Sequence, residues 1–185
     1  MIRFAALIGA SAIALGACAP TGGQVVSIPE EAIVAFDGKT EEEIMTRVAP
    51  AAFIASFEKV CEANVDNLAG ALALLKSDGY ILLADSGDVT AYAHPDGKPV
   101  FGFGGRNPRK PEVCMVMSRN SANLRSVTEA YANKLPNVLE VPIAGLAPGA
   151  EKAWLPGDGA ETLYLTVNRT DPSLGEIFAF AIGKI

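Results

Sequence analysis

Few residues of this chain could do acid–base or nucleophilic chemistry together. Its one histidine is His94, its cysteines are Cys18, Cys61 and Cys114, and 21 acidic residues stand against 15 basic ones in 185. A serine or cysteine nucleophile needs an imidazole within hydrogen-bonding reach, and most zinc sites use one as well. His94 opens the run His94-Pro95-Asp96-Gly97, which has the composition of a tight turn, so an exposed turn histidine is expected, far in sequence from Cys61 and Cys114. Paired carboxylates for glycan cleavage can come from distant positions, and with so many acids no pair stands out. Asp85-Ser86-Gly87-Asp88 lacks the repeated ligand spacing of a calcium loop and reads as a plain turn. No catalytic residue, metal or cofactor is expected.

Gly102-Phe103-Gly104-Gly105 is the most glycine-dense stretch. A phosphate-cradling loop needs a helix directly after it, so that backbone amides point at the anion. Here Arg106-Asn107-Pro108-Arg109-Lys110-Pro111 follows, and two prolines oppose a helix. A flexible strand connection is the expectation. Between 97 and 125 the bases Lys98, Arg106, Arg109, Lys110, Arg119 and Arg125 face a single acid, Glu112. Between 30 and 43 six acids face Lys39 alone. One reading makes Arg106, Arg109 and Lys110, in the loop 104–111, a partner-binding loop for lipid headgroups, a glycan polymer or another protein. The other has the two regions facing each other or simply solvated. The net charge of −6 excludes a general nucleic-acid binder, which needs clustered bases. Trp154, Tyr164, Phe178 and Phe180 fit a sugar or lipid groove, but aromatics in strands are expected in the core.

The N-terminus carries a different chemistry. Met1-Ile2-Arg3 supplies one positive charge, and an Ala-rich apolar run extends from Phe4 to Ala17. That run is shorter than the ~20 apolar residues that span a bilayer. A charged start, a short apolar centre and small residues at the end describe a secretory signal. Leu15-Gly16-Ala17-Cys18 resembles the lipobox of bacterial lipoproteins. The resemblance covers only these first residues. It implies cleavage before Cys18 and acylation of Cys18, so that 1–17 is a lipoprotein signal peptide and membrane lipid is a partner of the mature chain. Ala19 in place of Asp after the cysteine implies, by the same resemblance, the outer membrane, facing the periplasm. Ordinary secretory cleavage is the rival reading, opposed by Pro20. With Cys18 acylated and the compartment oxidising, Cys61 and Cys114 remain as a pair and most simply form a disulfide. It would be worth ~4 kcal/mol in the chain-entropy model. Two free thiols, or a thiol catalyst, are the alternative.

The elements that must hold these groups follow from pattern. Residues 18–38 are expected to be a flexible tether, in which the apolar piece Ala32 to Phe36 adds a short edge strand. Residues 39–185 are expected to form one α+β domain. Thr40 and Glu43 make a capping box. Phe53, Phe57, Val60 and Cys61 follow helical spacing after Pro50, and Leu68, Leu72 and Leu75 continue it to Asp78-Gly79. The period then changes to strands around the 94–97 turn and over Glu112 to Ser118, where Cys114 and Val116 share one side. Ser121 would cap a helix with Leu124, Val127, Tyr131 and Leu135 on its stripe, ended by Pro136. Val138 to Val141, the Trp154 segment, Thr162 to Val167 and Glu176 to Ile182 read as strands, the last two as a hairpin. The expected fold is an antiparallel sheet of about six strands with two main helices on one face and one disulfide. The expected function is a non-enzymatic envelope component that binds an envelope protein or glycan. The alternatives are a protein inhibitor or protective factor against an envelope hydrolase and a hydrolase with scattered catalytic carboxylates. The sequence leaves the oligomeric state open.

Overall fold

The computed structural model describes residues 26–105, 112–119, 123–157 and 161–184. Cys18, Arg106, Arg109, Lys110 and Ser121 lie outside these residues. The chain is α+β with an antiparallel sheet, but the sheet has eight strands rather than about six. Three helical pieces come first: α1 (Glu30–Ala35), α2 (Glu41–Ile44) and α3 (Pro50–Val60). A 3₁₀ turn (Glu62–Asn64) and α4 (Leu68–Ser77) follow, then β1 (Ile81–Asp85), β2 (Val89–Ala93), β3 (Val100–Gly104) and β4 (Val113–Arg119). After α5 (Leu124–Ala132) come β5 (Leu139–Val141), β6 (Ala150–Leu155), β7 (Thr162–Asp171) and β8 (Gly175–Lys184).

The strand order is β1-β2-β3-β4-β8-β7-β6-β5. The chain therefore makes a helix and a four-stranded meander twice. The two meanders join through their last strands, β4 against β8, from Val113↔Gly183 to Arg119↔Ile177. The segments Val138 to Val141 and around Trp154, both read as strands, are β5 and β6. They are strands because β7, ten residues long, supplies a ladder for β6, and β6 supplies one for β5.

Local chemistry sets the helix starts. Thr40 accepts the Glu43 amide while the Glu43 carboxylate takes the Thr40 amide at 2.7 Å, the expected capping box. The helix it starts lasts one turn. The chain then runs extended to Pro50, whose fixed φ suits the first position of α3. The extended stretch is pinned to β4 by Ser118, which accepts from the Val48 amide (3.0 Å) and donates to the Thr46 carbonyl (2.8 Å). Residues 32–36 belong to a helix, not to an edge strand. Pro29 precedes α1, Glu30 and Glu31 sit at its positive end, and Ala32 and Phe36 are its buried side. Ser27 pairs with Asp85, so the chain meets the sheet edge before α1 begins.

Both faces of the sheet are buried, by different means. On one face Phe53, Phe57 and Val60 of α3, Leu68, Ala71 and Leu75 of α4, and Leu124 and Ala132 of α5 meet the sheet aromatics Tyr92, Phe101, Phe103, Trp154, Phe178 and Phe180. Phe57 and Phe180 stack with ring centroids 4.2 Å apart. Each such buried side chain contributes roughly 1.5–3 kcal/mol. Trp154, Phe178 and Phe180 are thus core residues, as expected for strand aromatics. The opposite face carries smaller groups, including Ala91, Ala93, Ala153, Ala179 and Ala181, with Met115 and Met117 among them. Gly102 lies on this face, where a Cβ would come within 2.8 Å of Met115 Cγ. Gly102 and Gly104 are residues of β3, which pairs directly into β4 (Gly104↔Val113). The glycine-dense stretch is therefore mostly strand.

Candidate functional site

Cys61 closes α3 and lies next to Glu62, the first residue of the 3₁₀ turn. The structure joins Cys61 to Cys114 of β4 by a disulfide, with the two Cα atoms 5.3 Å apart. The staple fixes the end of α3 over the middle of the sheet and so sets where Glu62 stands. The Glu62 carboxylate accepts the hydroxyl of Tyr164, from β7, at 2.7 Å through one oxygen, and the hydroxyl of Tyr131, from α5, through the other. One carboxylate thus ties the turn, a helix and a strand. Burial raises the Tyr131 phenol well above the ordinary tyrosine range, and the hydrogen bond to Glu62 and the charges of Glu62 and Glu58 raise it further. The proton stays on the phenol.

Beside this tie lies a half-open cleft of about 510 Å³. Its buried floor is Pro156, Thr162, Tyr164 and Ile182. Val65 and Asp66 form one wall, Leu135 and Pro136 the other. The Gly157 amide donates to the Pro136 carbonyl at 3.0 Å and so braces the second wall. The rim holds Asp66, Glu161 and Lys184, all exposed, with Lys184 paired to Asp66 at 2.5 Å.

Each Glu62 oxygen thus accepts one phenol. Among the described residues, the surroundings hold four carboxyls below their ordinary values. Glu43 is lowered by the Thr40 amide and hydroxyl, Asp78 by Lys59 and Glu151 by Arg125. At Asp171 burial pushes upward, but the Ser173 hydroxyl and the amides of Ser173 and Leu174 outweigh it. Among the described residues no group of three or more metal-binding side chains converges.

His94 differs from the expectation of an exposed turn residue: it is 8% exposed. The 94–97 turn folds back onto the end of α4, where the ring packs edge-on against Tyr80. His94 Nδ1 accepts the Asp96 amide at 3.0 Å, and Nε2 lies 3.1 Å from the Asp78 carbonyl and 3.0 Å from Lys98 Nζ. Gly97, at φ +68°, closes the turn, and Thr46 donates to its carbonyl. The ring is a packing and turn-closing group. Asp85 accepts the Gly87 amide at 2.7 Å, which makes 85–88 the plain turn expected.

The acidic and basic stretches partly face each other, as Arg119 meets Glu42 at 2.6 Å. Arg125 looks elsewhere, to Glu151 at 2.7 Å. Of the sequence-derived site residues, Cys61 and Cys114 are brought together. Sequence reasoning named neither Glu62 nor the cleft, whose walls come from five separate stretches with no common motif. Compared with protein-family models, with curated proteins and with solved structures, the chain matches none.

Proposed function

We propose that this chain is a lipid-anchored component of a bacterial envelope, held by acylated Cys18 and acting by binding rather than by catalysis. The observation that carries the reading is Leu15-Gly16-Ala17-Cys18 placed directly after an apolar run too short to remain as a span. The disulfide supports it in two ways. Such bonds persist in oxidising compartments, and pairing Cys61 with Cys114 leaves Cys18 as the remaining cysteine of three. Among the described residues no helix is long and apolar enough to cross a membrane, so several acyl chains, each buried CH₂ contributing ~0.8 kcal/mol, would supply the attachment. Ala19 favours the outer membrane, with the body in the periplasm. A cleft with a partly apolar floor and a charged rim, beside a carboxylate held by two phenols, supports binding over turnover.

The test is crosslinking in intact cells followed by pull-down, with Cys18→Ala as the unanchored control. A specific envelope protein or glycan, recovered with the native chain and lost from the control, is expected. Steady turnover of envelope polymers or esters by the purified chain would overturn the binding reading.

A further inference from the structure

We infer that the cleft between the 3₁₀ turn and the end of α5 takes a basic peptide segment, with an aliphatic side chain on the floor and a neighbouring primary amine at Glu161. This names a ligand class for the binding role proposed above. It rests on that role but not on the acyl anchor.

Shape and lining come first. A cleft of about 510 Å³ lies in the size range of small-ligand sites, which are mostly apolar with a few fixed polar groups. Val65, Leu135 and Ile182, with Pro136 and Pro156, supply its apolar lining, and Thr162 and Tyr164 complete the floor. A sugar would want an exposed aromatic face to stack on. The aromatic here, Tyr164, is buried and its hydroxyl is committed to Glu62. An acyl chain would want an apolar rim, and this rim is charged.

Charge then selects the ligand's sign. At the rim Lys184 is neutralised by Asp66. Glu161 enters no ion pair among the described residues. Behind the wall Glu62 and Glu58 both act on the Tyr131 hydroxyl, which adds negative field. A concave surface focuses such a field on whatever enters it. The rim group left for a ligand is thus an unpaired carboxylate above a floor whose apolar part is Pro156 and Ile182, and an amine beside an aliphatic side chain matches both.

The experiment is an amide-resolved NMR titration of the full mature chain in detergent micelles. The probe is acetyl-leucyl-lysinamide, and the controls are acetyl-leucyl-norleucinamide, which lacks only the amine, and N-acetylglucosamine. The lysine probe should give saturable shifts at Val65, Leu135, Thr162 and Ile182. Glu161→Gln should weaken it by about fivefold without affecting the norleucine probe, and Lys184→Gln, which releases Asp66, should tighten it by about two- to threefold. A gain from Lys184→Gln is something damage to the fold would not produce. No saturable shift, equal binding of the two dipeptides, an unchanged Glu161→Gln, or the same shifts from N-acetylglucosamine would each overturn the inference. Failure here with acyl chains present on Cys18 leaves the anchor reading standing. Unmodified Cys18 with the titration intact does the reverse.

Discussion

The two faces of the sheet solve the same problem differently. One is deep: three helices stand off the strands, and large aromatics from both sides fill the gap, with Cys61–Cys114 as a covalent post through it. The other is shallow: alanines and Gly102 line much of it, so the segments lying on it approach closely and the two methionines take up irregular space. The first face is therefore sensitive to what is removed and the second to what is added. The cleft opens at the edge of the deep face, where the aromatic filling ends at Tyr164 and Ile182.

That contrast can be broken by mutation. Phe57→Ala removes a ring that touches Tyr131, Tyr164 and Phe180, and should lower unfolding free energy in urea by about 3–5 kcal/mol. A loss below 1 kcal/mol would mean that the helices do not depend on the aromatic layer. Next, Cys61→Ser and Cys114→Ser should each cost about 4 kcal/mol, and the double variant no more than either single. Clearly additive losses would show that the sulfurs are not joined. On the shallow face, Gly102→Val should cost about 1–3 kcal/mol by overpacking against Met115. If it proves neutral in the same urea series, that face has room this account denies it.

The smallest effect expected is that of pH. Asp171, Asp78 and Glu151 are held below their ordinary values of 3.8, 3.8 and 4.5. Their contribution is complete above those values and is lost as pH falls through the lower, folded ones. Tyr80 moves the other way, pushed up to about 12 by burial and then by the charge of Asp78. Its contribution is complete below 10 and is lost between 10 and 12. The urea midpoint should stay level from pH 5 to 9 and fall outside it. A marked slope between pH 6 and 8 would contradict this.

What the sequence disclosed was what neighbours in the chain decide. Thr40 and Glu43 form their box, Asp78-Gly79 ends α4, and Cys114 and Val116 share a side of β4 because each signal spans only a few residues. Where tertiary partners decide, it misled. His94 reads as a turn residue and is one, but its burial depends on Tyr80 and the end of α4. Ala32 to Phe36 is too short for its period to separate helix from strand, and Pro29-Glu30-Glu31 was the overlooked start signal. The cleft was illegible because tertiary partners decide it. Glu62, Tyr131 and Tyr164 are up to 102 positions apart, and only the folded sheet brings them together.

The anchor at Cys18 is the premise on which the functional account turns, and intact-mass and peptide mass spectrometry of the native protein tests it most directly. The account predicts a chain that begins at Cys18 and carries acyl groups on it. A native chain that retains Met1–Arg3, or an N-terminal peptide with an unmodified Cys18, would contradict it.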